Sequence, residues 1–156
     1  MIMVYEKKEI DFKKLDKSNC QILEKIQKDK YTINWNEDEI KNLLEKGGGE
    51  GIILIYNSIP IGFCLFRILM DEVEILSIEI ETKFRNMGLG LILFNEIERS
   101  FEERKISKCF LEVNINNDLA RNFYEKLGFI CIKNIKNYYK SDNSYQDGLL
   151  LQKTYI

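Results

Sequence analysis

The amino-acid sequence predicts a three-layer α/β or α+β domain built on a mixed sheet of about seven strands with about four helices. Three observations carry that expectation. Runs of β-branched and aromatic residues alternate with segments of helical periodicity, so strands and helices interleave along the chain. The longest helical segment repeats a large apolar residue at every fourth position, the mark of one buried face. The chain has 156 residues, 45% of them hydrophobic, with no internal repeat and no long linker, which suits a single domain over 1–156 with a real core.

Up to about Lys46 the chain reads as a short strand at "IMVYE" followed by two helices. Asn36 and Glu39, ahead of Ile40, Leu43 and Leu44, form a capping-box pattern in which each side chain satisfies the other residue's free N–H. "KGGGEG" ends that helix. "GIILIY" and "IGFCLFRILM", joined by "NSIP", read as an antiparallel hairpin. "VEILSIEIE" follows as a third strand, with Ile78 and Ile80 on one face and Ser77, Glu79 and Glu81 on the other. In the long helix after it, Leu89, Leu93, Ile97 and Phe101 form the stripe. "KCFLEV" is a strand, and "NNDLARNFYEKLG" a helix with Asn117 or Asp118 as N-cap and Gly128 just past its end. "FICIKNI" and "DGLLLQKT" supply the last strands, separated by a polar loop, "KNYYKSDNSYQ".

Composition removes several function classes. The net charge is −2, with 23 basic and 25 acidic residues mixed along the chain, so no polyanion surface is implied and nucleic acid is not expected as a partner. Cys20, Cys64, Cys109 and Cys131 lie far apart, most of them in apolar runs, and read as buried free thiols of a reducing compartment. The absence of histidine removes the commonest zinc ligand and the usual general base, and no metal is expected. The first residues lack the order of a signal peptide and no apolar run approaches a membrane span, so a cytoplasmic protein without a membrane partner is expected.

The informative stretch is "FRNMGLGLILFNEIE", a glycine-bearing turn that runs directly into a helix. A helix N-terminus offers free N–H groups and the positive end of the helix dipole, and glycine lets an anion approach the backbone. The stretch is not a P-loop, because Leu91 and Ile92 stand where Lys and Ser/Thr are required. Nor is it a dinucleotide fingerprint, whose third glycine falls on Leu93. Arg85-Asn86-Met87-Gly88-Leu89-Gly90 instead fits Gln/Arg-x-x-Gly-x-Gly/Ala. That pattern resembles the coenzyme A pyrophosphate loop of the GCN5-related N-acetyltransferase (GNAT) family. Without the family, the same glycines could serve backbone geometry alone.

The resemblance covers nearly the whole chain. "NWNEDEI", "DEVEILSIEIETKFRNMGLG", "LEVNINNDLARNFYEKLGF", "NYY" and "QDGLLLQK" follow one another as in the bacterial ribosomal-protein alanine N-acetyltransferase branch of the family. It implies a GNAT-like fold with a mostly antiparallel sheet, and acetyl-CoA or coenzyme A as cofactor. Ile78, Glu79 and Ile80 would lie along the pantetheine arm, the amides of Met87 to Gly90 would take the pyrophosphate, and Arg85 would add positive charge. Asn117 and Tyr124 would also meet the cofactor.

Acetyl transfer from a thioester to an amine needs a neutral amine, a stabilised oxyanion and a proton for the departing thiolate. An α-amine has a pKa near about 8, so a base is useful, and without histidine that base is a carboxylate, a water chain or nothing. By resemblance Glu112 is the base and Tyr124 the acid, with a backbone amide of Ile78 to Ile80 facing the oxyanion. Glu79, on the strand beside the expected thioester, is either the reserve base or a solvated edge charge. Read without the family, Glu112 is a solvent-facing strand residue and Tyr124 a packing aromatic.

By the resemblance Trp35, Tyr138 and Tyr139 flank the acceptor groove together with Glu79, whereas read without the family the three aromatics are core or rim packing; the acidic Glu79, Glu112, Asp142 and Asp147 would suit a cationic amino terminus. The family's usual Phe-Pro before the tryptophan is Ile33-Asn34 here, and Asn114, Asn86 and Met87 replace residues that are often basic. The expected partner is a protein N-terminus, with a ribosomal protein the leading candidate, and the chain is expected to be a monomer or weak dimer. Lysine side chains, polyamines or other small amines are the alternative acceptors, and an acyl-CoA-binding module without turnover is the alternative of another class.

Overall fold

A computed structural model describes residues 9–28, 31 and 33–155. The expected strand at "IMVYE" lies outside those residues. A strand that the sequence reading did not anticipate, β1 (Ile10–Lys14), pairs antiparallel with β2 (Gly49–Tyr56) at the sheet edge. Between them run α1 (Ile22–Ile26) and α2 (Glu37–Lys46). Both arms of the capping box form at the start of α2: Glu39 N–H donates to Asn36 Oδ1 at 2.9 Å, and Asn36 N–H to Glu39 Oε2 at 3.0 Å.

β2 turns into β3 (Ile59–Leu69) through Asn57 and Ser58, both at positive φ, the conformation that matches a tight hairpin to strand twist. β4 (Glu72–Ile80) pairs antiparallel with β3. α3 (Leu89–Glu103) crosses over to β5 (Lys108–Asn114), which lies parallel to β4. α4 (Asp118–Lys126) leads to β6 (Ile130–Ser141) and β7 (Ser144–Thr154). The sheet order is β1-β2-β3-β4-β5-β7-β6, and among the described residues only the β4–β5 pairing is parallel.

The sheet separates two apolar cores, which makes the three layers. One face carries Leu89, Leu93, Phe94, Ile97 and Phe101 of α3 with Tyr124 of α4 against Val73, Ile75, Leu111 and Leu151. The other packs Leu23 and Ile26 of α1 and Ile40 and Leu43 of α2 on Ile53, Phe63 and Leu65. The fourfold stripe of α3 is buried throughout.

The β4–β5 ladder runs only from Glu72↔Lys108 to Ile75↔Leu111. Beyond it β4 stays with β3 as far as Gly62↔Ile80, and β5 stays with β7 as far as Asn114↔Gly148. A register shift in the β3–β4 ladder passes over Leu76, one residue after the last β4–β5 pair. Such a bulge bends its strand, so the two halves of the sheet diverge from this point. It also reverses the face parity, so that Val73 and Ile75 share a core with Ile78 and Ile80 while Leu76 packs on the opposite face.

Three expectations need correction. Ser77 and Glu79 do alternate with Ile78 and Ile80, but their face is covered, leaving Ser77 7% and Glu79 4% exposed. The polar loop "KNYYKSDNSYQ" is mostly strand: β6 runs to Ser141 and β7 resumes at Ser144. An outer strand solvated along most of its length has no apolar alternation to read, and a register shift between Ile135 and Tyr139 hides its period further. Finally, Cys20, Cys64 and Cys109 are buried free thiols, whereas Cys131 on the outer strand β6 is exposed.

Candidate active site

Two cavities open where β4 and β5 part. The larger, about 710 Å³, is walled by Ile78, Glu79 and Ile80 of β4, the glycine turn with the first residues of α3, and Asn117, Ala120, Phe123 and Tyr124 on the α4 side. α2 and α4 are capped by the side chains of Asn36 and Asn117 and carry acidic residues in their first turns. α3 has neither. Its N-cap is Gly88, at φ +79°, with no side-chain cap and no acidic residue in the first turn. The first N–H groups of a helix have no acceptor four residues back, so these amides and the dipole are left for an anion. Gly88 needs its glycine for φ. A Cβ on Gly90 would meet only the Phe123 ring, at 3.6 Å, an ordinary contact.

The smaller cavity, about 250 Å³, is lined by Ile33 and Trp35, by Glu112, Tyr138 and Tyr139, and by Glu74 to Ile78 of β4. The Tyr138 hydroxyl hydrogen-bonds to the Glu112 carboxylate, and that bond, with desolvation and the charges of Glu112 and Glu74, pushes its pKa up to about 12. Tyr139 meets Tyr138 edge-on, with ring centroids 5.0 Å apart, and is raised mainly by burial. Asn114, buried, donates to Gln146 Oε1 at 2.6 Å and holds β7 at the cavity's edge.

Both cavities are lined by Tyr124, so the wall between them carries this phenol. Local chemistry sets its position. Phe129 N–H donates to Tyr124 O and Gly128 N–H to Glu125 O, both at 3.0 Å, with Gly128 at φ +97°. This is the left-handed helix end that glycine permits. The rings of Phe123 and Phe129 lie edge-on to Tyr124 at 5.3 and 5.6 Å.

The model of the acetyltransferase (GNAT) family matches residues 20–129 of this sequence, which takes in the glycine turn, the lining of the larger cavity and all of the smaller one's lining residues except Tyr138 and Tyr139. The chain belongs to the GNAT family. It is therefore an acetyltransferase. A Haemophilus influenzae relative, [ribosomal protein bS18]-alanine N-acetyltransferase, is 27% identical over 137 residues, 86% of this chain and 90% of its own. Among solved structures, the Escherichia coli ribosomal-protein-S18-alanine N-acetyltransferase superposes with a TM-score of 0.85 at 21% identity, over 93% of each chain. Arabidopsis thaliana NAA60, solved in complex with acetyl-CoA, gives 0.80 at 19% identity, over 93% of this chain and 98% of that one.

Within this GNAT domain most of the residues singled out from sequence converge. Ile78 to Ile80, Arg85, Asn86, Gly88, Leu89, Gly90 and Asn117 line the larger cavity, with Met87 packed against the adjoining core. Glu112, Trp35, Tyr138 and Tyr139 line the smaller one. Asn117 Oδ1 accepts the Ala120 N–H at 3.3 Å, so the residue caps α4 as well as walling both cavities. Asp142 and Asp147 stand apart from the smaller cavity, Asp147 accepting the Asn137 N–H at 3.0 Å.

Glu79 belongs to the wall of the larger cavity alone, and it is no solvated edge charge. Its Oε1 accepts the Lys28 N–H at 2.8 Å and lies 3.3 Å from Arg85 Nη2, while Arg85 Nε donates to the Ile80 carbonyl at 2.8 Å. Sequence reasoning missed Glu74 and Tyr31. Glu74 also pairs with Arg67 at 2.6 Å across the hairpin, and it reads from sequence as an ordinary polar strand position. Tyr31 lines both cavities from the connection between α1 and α2, a segment with no periodicity to flag it.

Proposed function

We propose that this chain is an acetyl-CoA-dependent N-acetyltransferase that acts on the N-terminal α-amine of a protein, by direct attack in a ternary complex. An N-terminal alanine of a ribosomal protein is the leading acceptor. The observation that carries the reading is the pair of cavities sharing Tyr124, one with an anion-ready helix end and the other with carboxylates. The named activity of the Haemophilus relative supports the acceptor class.

Acetyl-CoA supplies an activated acetyl group whose departing thiolate needs a proton. The amides at the start of α3, beside Gly88, hold the pyrophosphate, and the edge of β4 that has left β5 holds the pantetheine arm through its main chain. A β4 amide beside Ile78 faces the oxyanion. Glu112, with Glu74 nearby, attracts the ammonium group and takes its proton, directly or through water. Tyr124, at the wall between the two ligands, protonates the thiolate. Glu112 is preferred to Glu79 as the base because it lines the smaller cavity, whereas Glu79 lines only the donor side.

The test is release of coenzyme A thiol from acetyl-CoA with a short peptide bearing a free N-terminal alanine, beside its N-blocked twin. Turnover with the free peptide alone supports the reading. Turnover with a blocked peptide that carries lysine would move the acceptor to a side-chain amine, and binding of acetyl-CoA without any turnover would make the chain a binding module. Tyr124→Phe keeps the ring packing and is expected to lower kcat about a hundredfold with little change in acetyl-CoA affinity. Full activity in that variant removes Tyr124 as the acid.

A further inference from the structure

A carboxylate buried in the wall of an anion site works against its own ligand, and Glu79 is such a group. It is almost wholly shielded from water, so its charge has to be compensated inside the protein. Arg85 provides one compensation, with Nη2 3.3 Å from Glu79 Oε1 while its Nε is committed to the Ile80 carbonyl. The second is the Lys28 N–H, which donates to the same Oε1 at 2.8 Å. Next to Lys28, the buried Gln27 side chain grips the main chain of Trp35 on both sides. Gln27 Nε2 donates to Trp35 O at 2.8 Å, and Trp35 N–H donates to Gln27 Oε1 at 2.6 Å. Trp35 walls the smaller cavity. One carboxylate thus joins the start of the glycine turn to the acceptor-side wall.

We propose that Arg85 serves donor binding chiefly by neutralising Glu79, and that Glu79 is a positioning residue tying the donor loop to the acceptor-side wall through Lys28, Gln27 and Trp35. The inference rests on the donor assignment made above. A guanidinium spends its donors in a fixed fork, and here two of its nitrogens are directed at Ile80 and Glu79. Removing it would leave a buried negative charge beside an incoming pyrophosphate, where low polarisability lengthens the reach of the repulsion. Removing the carboxylate as well would lift that repulsion.

The test is a double-mutant cycle read by isothermal titration with coenzyme A, using the wild type, Arg85→Met, Glu79→Gln and the double variant. Arg85→Met is expected to weaken binding by about tenfold or more and Glu79→Gln to tighten it about threefold. The double variant should return to within about threefold of wild type. A double variant as weak as Arg85→Met overturns the neutralising role and gives Arg85 a direct contact with phosphate.

The bridge has its own ligand-free readout, amide hydrogen exchange at Lys28 and Trp35. Exchange should quicken in Glu79→Ala and stay slow in Glu79→Gln, whose carbonyl still accepts the Lys28 N–H. Unchanged exchange in Glu79→Ala overturns the bridge. In turnover with the free alanine peptide, Glu79→Ala should raise the peptide KM several-fold more than it lowers kcat, with rescue by Gln. If wild type binds no coenzyme A, the donor assignment fails and the neutralising role with it. The exchange measurement still judges the bridge in that case.

Discussion

Gly88 and Gly90 stand two residues apart in one motif, yet the structure assigns them different physical duties. Gly88 is at φ +79°, and a Cβ there meets nothing within 4 Å beyond its own chain neighbours. The cost of Gly88→Ala is therefore conformational. Placing alanine in the left-handed region costs roughly 1–2 kcal/mol, partly offset by roughly 0.4–1 kcal/mol from a less flexible unfolded chain. A net loss of about 1 kcal/mol remains, or about 2–4 °C in Tm for a domain of this size. Gly90 lies in the first turn of α3 at ordinary φ, and its new Cβ touches Phe123 at 3.6 Å without crowding. Gly90→Ala should accordingly raise stability by about 0.5 kcal/mol. Calorimetry on the two variants, with coenzyme A titration alongside, decides the matter. Gly88→Ala should also weaken coenzyme A about tenfold, since the added methyl occupies open space on the wall of the larger cavity. Equal Tm shifts in the two variants would refute the division of duties. A Gly88→Ala protein that loses Tm but binds coenzyme A normally would leave glycine serving backbone geometry alone.

Three further outcomes follow from the same geometry. The Tyr138 proton is held by its bond to Glu112, so its phenolate absorbance should rise only near pH 12 and move back toward 10 in Glu112→Ala. Because the folded state keeps this proton while the unfolded chain loses it from about pH 10, the group's stabilising contribution is complete below pH 10 and is lost between about pH 10 and 12. Asn117→Ala removes the cap of α4 and should cost about 1 kcal/mol in urea unfolding, whereas Asn117→Asp should retain most of that stability. An aromatic disulfide reagent should modify Cys131 rapidly in the native protein, while Cys20, Cys64 and Cys109 react only on unfolding. Burial shields these three and raises their thiol pKa values, that of Cys109 to about 12.

Much of the fold was legible because its signals are local. The Asn36–Glu39 box, the Gly128 helix end and the α3 stripe each depend on residues within one or two helical turns, and all are present as read. The second half of β6, from Lys136 on, was illegible for a related reason: on a solvated outer strand nothing selects an alternating pattern. Glu79 misled in the opposite sense. Polar alternation on a strand reads as a wet face, but here Glu79 is buried against the Lys28 N–H and the Arg85 guanidinium, which lie 51 and 6 residues away in the chain.

The residue types and their spacing determined by themselves that α3 begins with bare amides at a glycine, that α4 ends just after Tyr124, and that any base has to come from something other than histidine. Only the tertiary structure decided that β4 and β5 part after Ile75↔Leu111, that two cavities share Tyr124, and that Arg85 faces a buried carboxylate. Caps and turns are settled by hydrogen bonds a few residues apart. Register between distant strands and the pairing of a buried charge depend on which segments the folded chain brings into contact, and local periodicity does not encode that.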